Sequence, residues 1–112
     1  MRDGCTMEVV FDASGTRTTI EPPYAVTLPA ADASGFQGGI SFQGSGWRQA
    51  DVVVIRPDGI VADTYRDQDG RINDGSVAFP LEGPGTWRFK LSDAEAGCRR
   101  EFTVEVRAAS PA

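Results

Sequence analysis

Apolar and charged residues alternate one by one through the C-terminal part of the chain. In TWRFKL (86–91) three apolar residues fall on one face and Arg88 and Lys90 on the other, and REFTVEV (100–106) repeats the pattern. A two-residue period with one apolar and one charged face is typical of an antiparallel strand that is half buried. The short link SDAEAG (92–97) predicts that these two strands form a hairpin.

Short segments of strand character recur along the rest of the sequence, separated by turns that are rich in Gly, Pro, Asn and Asp. No segment shows a helical period of 3.6 residues. The sequence therefore predicts an all-β protein, an antiparallel β-sandwich of about seven to nine strands. The segments predicted to be strands are 6–11, 16–20, 24–28, 39–42, 51–55, 60–65, 76–81, 86–91 and 100–106.

The chain length of 112 residues is enough for one domain and too short for two. We predict a single β-sandwich domain over 1–107 and a tail or linker over 108–112, where small residues dominate. The residues predicted to lie in the core are Val9, either Val53 or Val54, Phe79, Trp87, Phe89, Phe102 and Val104.

Composition excludes several kinds of site. The chain has no histidine, so Ser–His–Asp and Cys–His catalysis and histidine-based zinc or copper sites are excluded within it. The net charge of −5 and the lack of a basic stripe argue against a nucleic-acid partner. No apolar run reaches the roughly 18 residues of a membrane helix, so we expect no membrane insertion. We predict no cofactor.

The two cysteines, Cys5 and Cys98, each fall on the predicted core face, one near the first strand and one near the last. The first and last strands of a sandwich are commonly close in space, so a Cys5–Cys98 disulfide is predicted. Such a bond implies an oxidising, extracytoplasmic compartment: the periplasm, the cell surface or the exterior. Two alternatives stay open, namely two free buried cysteines in a cytosolic protein and a lipid-modified Cys5. Ten arginines against one lysine indicate a GC-rich genome and a bacterial source.

The stretch PLEGPGTWRFKLSDAEAGCRREFTVEV (80–106) resembles the last two strands of bacterial immunoglobulin-like and PKD-like modules. The residues that carry the resemblance are Gly85, Trp87, Asp93, Gly97 and Val104. VVVIRPDG (52–59) resembles a middle strand and turn of such modules, so the likeness covers about half the chain. Trp87 stands where these modules more often have the tyrosine of a tyrosine corner. The resemblance implies an immunoglobulin-like sandwich outside the cytoplasm that serves as a spacer or adhesive module.

The segment RDQDGRINDGS (66–76) concentrates the oxygen donors that calcium prefers. The candidate ligands are Asp67, Asp69, Asn73 and Asp74. In the alignment with an EF-hand loop, the first and last ligand positions hold Tyr65 and Ser76, which do not complete the site. Arg66 and Arg71 compete with a cation for the same acids. We predict a solvated polar connection without a metal, and a loose calcium site is the alternative.

The stretch GFQGGISFQGSGW (35–47) is rich in glycine and contains three aromatic residues, Phe36, Phe42 and Trp47. We favour the interpretation that Phe42 and Trp47 lie in the core, since large aromatic side chains dominate the cores of small domains. The alternative is a sugar-stacking surface formed by the three rings, as in β-sandwich carbohydrate-binding modules.

The size, the acidic charge and the absence of histidine favour a non-catalytic module of a larger exported or cell-surface protein. It would act as a spacer or as a protein-interaction domain, with another protein or a neighbouring domain of the same chain as its partner. The alternative function is a carbohydrate-binding module that uses the aromatic residues of 36–47. A sandwich of this size seldom has the cleft that a glycosidase needs, so we predict no enzymatic activity.

Overall fold

Residues 4–31, 33–67 and 71–108 are described by the computed structural model, and they fold into two β-sheets. The strands are β1 (Glu8–Ala13), β2 (Thr16–Ile20), β3 (Ala25–Leu28), β4 (Gly39–Gln43), β5 (Asp51–Ile55), β6 (Val61–Arg66), β7 (Phe79–Pro80), β8 (Gly85–Asp93) and β9 (Cys98–Ala108). A 3₁₀ helix, Arg71–Asn73, lies between β6 and β7. Within the described residues, no helix has the length and apolar character that a membrane span requires. The predicted tail beyond Ala108 lies outside the described residues.

The strand order is that of a sandwich with the N-terminal hairpin at one edge. One sheet has the order β2-β1-β4-β7 and the other the order β3-β9-β8-β5-β6. Neighbouring strands are antiparallel, except that β3 pairs with β9 in parallel. The chain crosses from the four-stranded to the five-stranded sheet between β2 and β3, where the Pro22–Pro23 peptide bond is cis. The predicted all-β sandwich, dominated by antiparallel pairs, is confirmed.

The predicted hairpins form where turn sequences connect strands of alternating character. Strands β8 and β9 align Trp87 with Val104 and Phe89 with Phe102, so the apolar faces of the two strands coincide. Their turn ends at Gly97, whose φ of 72° is a left-handed conformation that glycine adopts at little cost. Strands β5 and β6 pair in the same antiparallel way across the turn RPDG.

One predicted strand is much shorter than expected. The segment 76–81 contributes only β7, because the chain before it is tied into a local turn in which the Asp74 carboxylate accepts hydrogen bonds from the amide and the hydroxyl of Ser76. A single isolated bridge joins Asp74 to Gln43 at the end of β4. β7 is the edge of its sheet, a position where proline is tolerated because an edge strand has fewer ladder hydrogen bonds to lose.

The core lies between the sheets and is dominated by aromatic rings. Phe42 packs against Phe79, Phe89 and Phe102, with ring centroids 5.9 to 6.0 Å apart. Val54 faces the core and is 1% exposed, whereas Val53 lies on the outer face of its sheet. Among the other predicted core residues, Val9, Phe79, Trp87, Phe89 and Val104 are buried, and Phe102 is half-buried against the core.

Trp87 makes the kind of bond that a tyrosine corner makes. Its indole Nε1 donates to the carbonyl oxygen of Gly83, four residues upstream, at 2.9 Å. A tyrosine corner likewise joins a ring to the backbone a few residues upstream. This ring-to-backbone bond ties the β7–β8 loop to the sandwich.

The loops gather at two ends of the sandwich, which we call the disulfide end and the far end. The disulfide end consists of the N-terminal segment 4–7, the loops 44–50 and 94–97, Asp67 and the segment 71–78. The far end consists of the segments 29–31 and 33–38 and the loops 56–60 and 81–84. Strand β9 runs from one to the other, since it begins at the bridged Cys98 and places Val106 opposite Gly85.

Candidate functional site

The three aromatic residues considered as a sugar-stacking surface do not lie together. Phe42 is at the centre of the core and 2% exposed, and Trp47 is 6% exposed at the disulfide end. Phe36 is half-buried at the far end, beside a shallow depression of about 350 Å³ that Gln37 and Pro80 also border. Phe42 and Trp47 therefore lie in the core, as we favoured. The carbohydrate-binding alternative keeps only one of its three rings near the surface.

Trp47 connects the N-terminal segment to β9. Its indole Nε1 donates to the carbonyl oxygen of Thr6 at 3.0 Å, and the guanidinium carbon of Arg100 lies 5.8 Å from the ring centre, a cation–π distance. Arg100 also donates to the carbonyl oxygen of Cys5 at 2.9 Å. This close packing requires a residue without a side chain at Gly44, because a Cβ there would overlap the carbonyl oxygen of Thr6. Trp47 therefore has a structural role at the disulfide end.

Cys5 and Cys98 form a disulfide, which confirms the predicted pairing. Their Cα atoms are 6.3 Å apart, and the bond joins residues separated by 93 positions in the sequence. Both cysteines are buried. Cys5 precedes β1 of the four-stranded sheet and Cys98 begins β9 of the five-stranded sheet, so the bond joins the two layers covalently.

Asp93 is a buried acid that holds the loops of the disulfide end together. It is 1% exposed, and its Oδ2 accepts hydrogen bonds from the amides of Arg48 and Gln49 at 2.6 and 3.0 Å. Its Oδ1 accepts a hydrogen bond from the amide of Ala96 at 2.9 Å. Burial by itself raises the pKa of Asp93, but the backbone amides of Ala96, Arg48, Gln49 and Glu95 outweigh it and lower the pKa below its ordinary value. The charged form is therefore the one that the fold stabilises.

We expect Asp93→Asn to lower the free energy of unfolding at pH 7 by about 2 kcal/mol, because one amide-accepting oxygen is replaced by a donor. Since the folded-state pKa lies below the ordinary value of 3.8, the contribution of Asp93 is present above that pH and is lost as the pH falls through the folded-state pKa. Urea unfolding between pH 7 and pH 2.5 should therefore show a flatter pH dependence for the variant than for the wild type.

The matched control is Asp58→Asn. Asp58 is an exposed acid whose Oδ1 accepts a hydrogen bond from the amide of Ile60 at 2.9 Å, a bond that asparagine can replace. We expect this control to change the free energy of unfolding by less than about 0.5 kcal/mol. If Asp93→Asn kept the full acid sensitivity of the wild type, the stabilising role of the Asp93 carboxylate would be wrong.

The first acid of the segment 66–76, Asp67, is hydrogen-bonded to the backbone of the same segment. Asp67 is 1% exposed, and its two carboxylate oxygens accept the amides of Arg71 and Ile72 at 2.9 and 2.7 Å. It thereby satisfies backbone donors at the start of the 3₁₀ helix, a role that short acids commonly have at helix starts. Ile72 of that helix is buried in the core, so Asp67 fixes the helix where it packs.

The remaining candidate calcium ligands are engaged elsewhere, exposed, or outside the described residues. Asn73 donates through Nδ2 to the carbonyl oxygen of Trp47 at 2.8 Å, and its Oδ1 is buried without a hydrogen-bond partner. Asp74 is exposed, and the hydroxyl and then the amide of Ser76 lower its pKa. Asp69 lies outside the described residues. Within the ranges that the structure describes, no group of three His, Cys, Asp or Glu side chains is placed to hold a metal ion. That this segment lacks a tight calcium site stays a prediction, which unfolding in chelator and in millimolar calcium tests.

An apolar patch lies on the five-stranded sheet, at the β5–β6 hairpin. This outer apolar patch consists of Val53, Ile55, Ile60 and Val61. Ile60 and Val61 are 59% and 52% exposed, and Val61 pairs with the half-buried Ile55 of β5. Arg88 and Lys90 of β8 lie directly beside Ile55 and Val53 and give the patch a basic border. Exposed apolar surface with a charged rim is typical of protein contact sites.

No protein family, curated protein or solved structure matches the chain. Sequence reasoning missed the burial of Asp93 and the outer apolar patch, and it placed Asp67 in a solvated connection although the structure buries it. The burial of Asp93 has no signal in the neighbouring sequence, because its partners Arg48 and Gln49 are distant along the chain. The outer apolar patch does have a signal, namely the three consecutive apolar residues 60–62. Successive side chains of a strand point to opposite faces, so these three cannot all face the core.

Proposed function

We propose that the chain is a non-catalytic module of a larger exported or cell-surface protein and acts as a spacer between its neighbours. The observation that carries this proposal is the position of the two points where the chain enters and leaves the sandwich. Cys5 lies at the disulfide end and Ala108 ends β9 at the far end. The longest dimension of the molecule is 48 Å. A domain entered at one end and left at the other holds its neighbours apart.

The disulfide supports an extracytoplasmic location for this module. Disulfides form and persist in secreted, periplasmic and surface proteins, whereas cytosolic thiols are kept reduced. The bond joins two buried cysteines and closes nearly the whole chain into one loop, as expected of a small domain that relies on covalent stabilisation.

A second role, protein interaction, is favoured by the outer apolar patch. Ile60 and Val61 expose more than half of their surface, and the basic border formed by Arg88 and Lys90 would complement an acidic rim on a partner. Spacer and interaction roles are compatible, because the patch lies on β5 and the β5–β6 hairpin, and β8 separates it from the exit strand β9.

The spacer role is tested in the full-length protein by replacement of the module. In one form the module is deleted, and in another it is replaced by an unrelated β-sandwich of the same length with its termini at opposite ends. We expect deletion to shorten the protein, measured by small-angle X-ray scattering, by an amount close to 48 Å, and to impair its function. The unrelated sandwich should restore both.

The variant Val61→Lys, made in the otherwise native module, separates the two roles. A spacer tolerates it, whereas binding through the outer apolar patch does not. If the unrelated sandwich restored the length but not the function, and Val61→Lys reproduced that defect, the spacer proposal would be replaced by the interaction role.

A further inference from the structure

We infer that the Cys5–Cys98 disulfide makes the module inextensible, so that a pull on the chain before Cys5 and after Ala108 bypasses almost the entire domain. Inextensibility would be the mechanical basis of the spacer role, so its biological meaning rests on the proposed function. The mechanical property itself follows from the position of the Cys5–Cys98 bond in the strand topology, and it can be measured on the isolated module.

The path of the force is set by where the bond lies. A pull from the N-terminal side reaches Cys5 before any strand, since β1 begins at Glu8. It passes through the disulfide to Cys98, the first residue of β9, and leaves along that strand. Residues 6–97 form a closed loop outside this path. Every strand except β9 lies within the loop.

Strand β9 is already nearly fully extended. It has 11 residues, and at a rise of about 3.3 Å per residue it spans about 33 Å. The upper limit for an extended chain is about 3.6 Å per residue, which gives about 36 Å. The disulfide adds no slack, because the Cα atoms that it joins are 6.3 Å apart. Even complete unfolding of the closed loop would therefore lengthen the path by only about 3 Å.

Without the disulfide, the same pull would load the sandwich across its two layers. The force would enter through β1 in the four-stranded sheet and leave through β9 in the five-stranded sheet. It would then act on the packed faces between the sheets and on the contacts of Thr6 with Ser45 and Trp47. Once the domain unfolded, the chain from Cys5 to Ala108 would extend to roughly 370 Å at about 3.6 Å per residue. The folded molecule is at most 48 Å long.

Single-molecule force spectroscopy tests the inference. The oxidised module is held by handles attached before Cys5 and after Ala108, and the force is raised in the absence of reductant. We expect no lengthening step greater than about 10 Å. Addition of reductant to the same molecules should release a step of roughly 300 Å, and the variant with Cys5→Ser and Cys98→Ser should give that step without reductant. If the variant does not fold, the reduced wild type provides the comparison.

A control distinguishes a bypassed domain from one that is merely too stable to unfold. One handle is moved to a non-natural residue at position 58, in the turn between β5 and β6, while the other stays after Ala108. The force then enters inside the closed loop, and the oxidised module should lengthen by roughly 150 Å. A step of roughly 300 Å in oxidised molecules held at their ends, or no step in this control at the same force, would overturn the inference. The replacement experiment decides the spacer role independently, because it measures the full-length protein and not the response to force.

Discussion

Removal of the Cys5–Cys98 disulfide is expected to lower the free energy of unfolding by about 4 kcal/mol. The bond closes a loop whose ends are separated by 93 positions, and in the chain-entropy account the stabilisation grows with the logarithm of loop length. Both cysteines are buried and the bond joins the two sheets, so the native state already holds the two chain segments together. The main effect of the bond is therefore on the unfolded chain.

Urea unfolding of the oxidised wild type and of the variant with Cys5→Ala and Cys98→Ala measures this effect. The variant should have a lower midpoint and a larger m-value, because its unfolded state exposes more surface than a cross-linked one. Reductant should lower the stability of the wild type and leave the variant unchanged, which shows that it acts through this bond. Equal free energies of unfolding, within about 1 kcal/mol, would contradict the prediction.

The substitution Phe42→Ala is expected to cost about 4 kcal/mol of folding free energy. Phe42 is 2% exposed, and its ring contacts aromatic residues of both sheets, among them Phe79 and Phe89. Truncation would remove these ring contacts and leave a cavity between two rigid layers that cannot close it. Chemical denaturation followed by circular dichroism measures the loss.

Two control variants show whether the loss comes from packing. Phe42→Leu keeps most of the buried volume and should cost about 1.5 kcal/mol. Phe36→Ala, in a half-buried loop position at the far end, should cost about 1 kcal/mol. If Phe42→Ala were no more destabilising than Phe36→Ala, the Phe42 ring would not hold the core together as described.

The strands near the C-terminus could be predicted because their period is local. In β8 and β9, each apolar residue from Trp87 to Val106 alternates with an exposed polar or charged residue, so a single strand shows which face is buried. β4 lacks this signal. Its residues from Gly39 to Phe42 are all buried. Ile40 and Phe42 face the core, while Ser41 lies under Arg17 of β2 and Gly39 lies against the backbone of Phe79. A strand covered on both faces has no alternation to read.

The disulfide end was less predictable because its contacts connect distant parts of the sequence. Trp47 depends on Thr6 and Arg100, and Asp93 depends on Arg48 and Gln49. In the sequence, Asp93 and Asp67 resemble ordinary polar turn residues. Their burial follows only when the loops of this end meet, which is a consequence of the sandwich topology. The Cys5–Cys98 bond was an exception, since the chain has two cysteines and only one pairing between them is possible.

The β-bulge in β6, the outermost strand of its sheet, affects how copies of this domain behave when they are crowded together. In its register, Val54 faces Asp63 and Ile55 faces Val61, so Ala62 is left over as an extra residue in β6. A long, flat outermost strand invites strand addition by another copy and, from there, aggregation. The extra residue bends β6, and the exposed charges of Asp63 and Arg66 further oppose such pairing. Copies of this domain at high concentration should therefore resist association of their sheets through β6.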